Sequence, residues 1–146
     1  MRKLVVILSI TLASAASYAT RKEPSLEELK ARVLSAKPDE RANLCVQIAE
    51  RQVENADKLY TGGQDDQAQA AIHDVVTYTE QASQAAVQTG HRLKNTEIAV
   101  RRMSHRLGDI KRALPFESQA IVQEAVERLD RIRTELLNRM FMKNPK

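Results

Sequence analysis

Apolar and small residues recur at alternating spacings of three and four from Ile72 to Leu114. The intervening positions are Val75, Thr79, Ala82, Ala86, Thr89, Leu93, Thr96, Val100, Met103, Leu107 and Ile110. A mean interval of 3.5 residues keeps one stripe of a helix facing a neighbour, so this stretch reads as helix packed against helix. The pattern holds one phase through Gly90 without a slip. Two arrangements satisfy it. One is a continuous helix over about residues 65–114, about 75 Å long at 1.5 Å per residue. The other is two helices broken near Gly90, with Asn95 capping the second. The continuous helix is the expected form, since one interior glycine costs only ~1 kcal/mol and no proline lies between Pro38 and Pro115. The two-helix form draws support from segment lengths, which become similar and suit an up-down bundle.

The flanking segments carry clear start and stop signals. Ser25 stands three residues before Glu28, a capping-box spacing that starts a short helix with Leu26, Leu29 and Val33 on one face. Residues 20–37 are thus a lead containing a short helix. Pro38 suits a first helical position, and Asp39 and Glu40 favour a first turn. A helix over about 38–60 follows, ended by Gly62-Gly63. Leu114-Pro115-Phe116 marks another turn. A last helix over about 118–141 then rests on Val122, Ala125, Leu129, Ile132, Leu136 and Met140. Glu124–Arg128, Glu127–Arg131 and Glu135–Arg139 are i, i+4 pairs in the better orientation. No stretch alternates as a strand does. The expected fold is all-α: an elongated antiparallel helical bundle or hairpin assembly built on the long heptad-patterned helix. Residues 38–142 form its single helical domain, and residues 143–146 are a fraying tail.

The chain begins with Arg2 and Lys3, an apolar run from Leu4 to Ala13, and Ser17-Tyr18-Ala19. That order reads as a secretory signal peptide over residues 1–19, cut near Ala19. The run is about half the ~20 residues needed to span a bilayer. The expected location is therefore export to the periplasm, with no transmembrane helix in the mature chain; peripheral contact with the envelope stays open. Cleavage leaves 21 basic against 19 acidic residues, and so small an excess argues against nucleic acid as a partner. Cys45 is the sole cysteine, which excludes an internal disulfide. Ile48, Ala49 and Val53 share its helical face and predict a buried thiol.

Charge is unevenly distributed. Residues 38–90 hold three basic and nine acidic groups, whereas residues 91–146 hold thirteen basic and seven acidic. The two regions are either separate solvated surfaces or faces that meet. They would meet within a folded-back bundle or across an antiparallel homodimer, and a continuous central helix favours the dimer. Arg101, Arg102, Arg106, Lys111 and Arg112 form the densest basic patch, a candidate surface for an acidic protein, anionic lipid headgroups or an anionic envelope polymer. No aromatics are interleaved there to stack bases.

Signatures of chemistry are sparse. His73, His91 and His105 lack metal-ligand spacing, and no C-x-x-C-H, E-x-x-H, H-E-x-x-H, G-x-S-x-G or P-loop occurs. No catalytic, metal or cofactor-binding residue is assigned, and no cofactor is expected. Met140 continues the last apolar stripe, so it reads as core. Thr79, Thr89 and Thr96 are the polar seam positions that a ligand-binding bundle would have to use.

Two resemblances follow from these residues. Leu59, Gly63, Ala68, Ile72 and Val75 have some of the spacing of a single tetratricopeptide hairpin, whereas repeat arrays need about three units. Residues 43–141 resemble a family of exported all-helical bacterial proteins with no assigned activity. The resemblance rests on Leu44-Cys45, Tyr60-Thr61-Gly62-Gly63, Leu93-Lys94-Asn95-Thr96-Glu97-Ile98 and Arg106-Leu107-Gly108-Asp109-Ile110. It implies the fold and no chemistry. The expected function is therefore non-enzymatic: protein–protein contact in the cell envelope. In size, export and helicity the chain is also similar to small periplasmic holdases of the Spy and CpxP type, although their Leu-Thr-x-x-Gln repeats are missing. A chaperone or stress-response role is the first alternative, and a ligand-binding bundle the second.

Overall fold

The computed structural model describes residues 22–142; the signal-peptide reading of residues 1–19 and the tail at 143–146 lie outside them. Five helices follow in order: α1 (Leu26–Ser35), α2 (Pro38–Thr61), α3 (Asp65–Thr89), α4 (Leu93–Ala113) and α5 (Gln119–Met142). A 3-10 turn, Phe116–Ser118, precedes the last. The described residues contain no strand, and the fold is an all-α helical bundle.

Local chemistry sets the boundaries. The Glu28 N–H donates to Ser25 Oγ at 3.2 Å, and the Ser25 N–H donates to Glu28 Oε2 at 2.9 Å. This reciprocal pair caps α1. Pro38 occupies the first turn of α2, where its missing N–H costs nothing. Gly63, at φ 72°, turns the chain from α2 into α3.

The continuous helix expected over residues 65–114 is corrected by the structure. α3 ends at Gly90, whose φ is 69°, and Arg92 is also left-handed at φ 61°. The chain therefore turns back here, and Arg92 rather than Asn95 takes the N-cap position of α4. The physical reason lies in the seam. Between Thr79 and Thr96 it offers mainly Ala82, Ala86 and Thr89, too little apolar surface for one partner helix to hold a 75 Å rod. Folding back lets both halves of the seam share one core. All seam residues except Thr89 and Leu114 are buried. Thr89 supports the turn, its Oγ1 accepting from the His91 N–H at 3.2 Å. Gly90→Ala should accordingly destabilise the protein by about 1 kcal/mol, because a Cβ opposes a left-handed backbone. In a continuous helix the same change would stabilise by a similar amount, so the sign of the shift in Tm decides between the two.

Helices α2–α3 and α4–α5 form two antiparallel hairpins laid side by side. Glu50 and Asp57 of α2 meet Arg102 and Arg106 of α4 in ascending order, so these two helices run parallel. In α4–α5 the order inverts: Glu97 meets Arg133, Ser104 meets Asp130, and Lys111 meets Gln123. One apolar cluster joins all four helices and includes Val53, Ile72, Val75, Leu107, Leu129 and Leu136. Alanines 49, 56, 68, 71, 85 and 86 let the α2–α3 backbones approach closely within it. A second cluster, with Leu29 and Val33 of α1 on Leu44, Cys45, Ile48 and Ala82, seats α1 over the first hairpin. Asp74 secures that contact, accepting from Lys30 Nζ at 2.8 Å and Gln52 Nε2 at 2.7 Å.

Charge adds to the apolar packing of the hairpins. The acidic first hairpin meets the basic second through Arg102–Glu50, Arg106–Asp57 at 2.5 Å and Arg128–Glu80 at 2.6 Å. Thus ion pairs within one chain join the acidic and basic regions. Arg128 reaches across to α3 rather than making the i, i+4 pair with Glu124.

Candidate functional site

The five basic residues singled out from the sequence do not form one patch. Consecutive helical residues are rotated by about 100°, so Arg101 and Arg102 point in different directions. Arg102 pairs with Glu50 and Arg106 with Asp57, both on α2. Lys111 turns the other way and donates to Gln123 Oε1 at 2.7 Å on α5. Arg112 pairs with Asp109 one turn back and stays exposed. Only Arg101 projects outward with no ion pair among the described residues.

A different set emerges on the outward side of α4. Lys94, Arg101, His105 and Arg112 are all exposed, and their spacings of seven, four and seven place them on one face. The stripe runs about 27 Å along the helix. Counting basic residues in a window misses Lys94 and His105. The signal that finds them is their shared distance from the buried seam, which faces the opposite way.

Its edges are built to stay put. On the α5 side, Glu97 is buried and accepts from Arg133 Nε at 2.7 Å, while Ser104 Oγ donates to Asp130 at 2.7 Å. On the α2 side stand the pairs with Glu50 and Asp57. Such cross-helix bonds hold α4 in rotation, so the outward stripe is a fixed feature of the surface.

The remaining groups read as structural. Thr79 Oγ1 donates to the Val75 carbonyl at 2.6 Å, and Thr89 Oγ1 lies 3.4 Å from the Ala85 carbonyl. The Thr79 proton is spent on its own helix and the Thr89 hydroxyl is shared between its own helix and Asp39, which leaves little for a ligand. Among the described residues no cluster of three His, Cys, Asp or Glu side chains could hold a metal ion. His91 Nδ1 stands 3.3 Å from Asp39 Oδ2; Thr89 first, and then His91, hold the Asp39 carboxyl below its usual range. Burial pushes the Tyr60 phenol up, with Asp65 adding to it. A groove of about 360 Å³ between α2 and α4 is lined by Val53 and Met103 beneath Glu50, Glu54, Arg102 and Arg106. A second, of about 370 Å³ between α3 and α5, has Ile72, Val76 and Ala125 among its lining residues. No described helix is long and apolar enough to cross a membrane.

Cys45 is buried and free, and desolvation raises its thiol to about 11. The native protein should therefore resist thiol reagents at pH 8 and react fully once unfolded, which absorbance of a released thiol dye would measure. The sign of the linkage follows. Burial opposes the thiolate, so native stability is intact below about pH 9 and falls as pH rises through about 11.

Comparison with known proteins adds no relative: no family model, no curated protein and no solved structure matches the chain.

Proposed function

We propose that the mature chain is an exported, non-catalytic helical bundle that works by protein–protein contact in the cell envelope, docking an acidic partner along the outward face of α4. The observation that carries this reading is the stripe Lys94, Arg101, His105 and Arg112, fixed in orientation while Arg102 and Arg106 are spent inside the bundle. Long-range attraction from such a row speeds encounter with an acidic surface and weakens with salt. Anionic lipid fits less well, because the apolar residue in the stripe, Ile98, is half-buried and no fully exposed apolar side chain joins it to enter the acyl boundary. Export rests on the basic start, short apolar run and small-x-small site in residues 2–19.

The test is affinity capture from native envelope with the mature chain and with the double reversal Lys94→Glu, Arg101→Glu. Retention of an acidic protein that falls at least tenfold with the reversal, and with raised salt, supports the proposal. Equal capture by both chains removes it.

Exposed apolar side chains favour a second reading as a holdase. Leu34, Phe116, Phe141 and Met142 all stand in solvent, and such groups can engage unfolded clients. Suppression of client aggregation in a light-scattering assay supports that role, and its absence at several-fold excess rules it out.

A further inference from the structure

Gly108 is the one glycine that the chain's own fold does not require. Of the four glycines, Gly62, Gly63 and Gly90 stand where helices end and the chain turns. Gly108 lies inside α4. Its backbone is not left-handed, unlike that of Gly63 and Gly90. Nor is it crowded: beyond the helix's own backbone, a Cβ there would meet only Arg112 Nη1, at 3.9 Å. That atom is the far end of a flexible side chain. Glycine is nonetheless the poorest helix-interior residue after proline, because ordering its backbone costs the most entropy. Nothing packed within the chain offsets that cost.

Its position supplies a reason. Lys94, Ile98, Arg101, His105, Gly108 and Arg112 follow one another at intervals of four, three, four, three and four. They form one column along α4. The four basic residues are exposed, whereas Ile98 and Gly108 are half-buried. Asp109, an acid beside the column, is paired with Arg112. A column of this period is the seam on which one helix receives another. Here the seam is cationic, apolar at Ile98 and bare at Gly108, where a partner's backbone or side chain can come close. The cations stand about 10, 6 and 10 Å apart along the axis. A strand presents one face about every 7 Å and falls out of step with them. A second helix keeps step, since its own face returns after the same four and seven residues.

We propose that the partner of α4 is an acidic helix, laid along this column and closest to it at Gly108. The inference rests on the acidic-partner reading of α4 and adds the partner's form. Charge alone gives no reason for a glycine in the row.

The test is fluorescence anisotropy of the mature chain, residues 20–146, with two labelled synthetic peptides in low salt. One is an alanine-rich helix of about 20 residues, with glutamates seven, four and seven apart and leucines completing the column between them. The other is the same peptide with two central prolines, which keep its charge and break its helix. The helical peptide should bind at least tenfold more tightly than the proline form. Gly108→Leu fills the gap and should weaken the helical peptide at least tenfold, leaving the proline form unchanged. Gly108→Ala and Gly108→Leu should each raise Tm by about 3 °C, as better helix formers. Three results overturn the inference and leave the acidic-partner reading standing: equal affinity for the two peptides, a Gly108→Leu variant that holds the helical peptide as tightly as the parent, or a lower Tm for Gly108→Ala. Failure of both peptides to bind, or binding unaffected by Lys94→Glu with Arg101→Glu, removes that reading as well.

Discussion

Leu107→Ala lowers the unfolding free energy by about 3 kcal/mol, within the span of large-to-small core changes. Leu107 is 0% exposed and belongs to the cluster that all four long helices share. Truncation removes apolar burial and leaves a cavity within that cluster. The alanine-rich α2–α3 contact is already close, so it has little freedom to move in and fill the space. Urea unfolding should show a lower midpoint at an unchanged slope. Leu34→Ala is the control: Leu34 is exposed on α1, and its loss should be nearly neutral.

Reversing the acids that meet α4 should have the next largest effect. Glu50→Lys with Asp57→Lys removes two pairs and sets cations against Arg102 and Arg106. Each pair is partly exposed, so the loss is about 1–2 kcal/mol in low salt for the two together. It should shrink as ionic strength rises, since screening acts on repulsion too. Adding Arg102→Glu and Arg106→Glu should return most of the stability, which a double-mutant comparison reads directly. Failure of that rescue would mean that the hairpins are held by apolar contact alone.

Much of the fold was legible because its punctuation is local. The Ser25–Glu28 spacing, Pro38, Gly62-Gly63 and Pro115 each act within a few residues, and each stands where its chemistry requires. The seam was legible too, and nearly all of it is buried. What periodicity hides is a turn that preserves the count. Residues 90–92 carry the chain from Thr89 to Leu93, a step of four that reads like one more helical interval. The clue was chemical: a glycine beside a stretch of seam made of alanine and threonine. The basic patch failed for a related reason. Neighbours in sequence, such as Arg101 and Arg102, diverge on a helix, while Lys94 and Arg112 converge.

Site-specific photo-crosslinking from His105 in the native envelope, followed by mass spectrometry, tests the proposed docking face most directly. His105 sits mid-stripe and is exposed; Gln84, exposed on α3, provides the same reporter on another helix. The expected result is an acidic protein captured from position 105, absent from position 84, and lost when Lys94→Glu and Arg101→Glu are added. Capture of the same protein from both positions, or none from position 105, contradicts an outward face of α4 that serves as the docking surface.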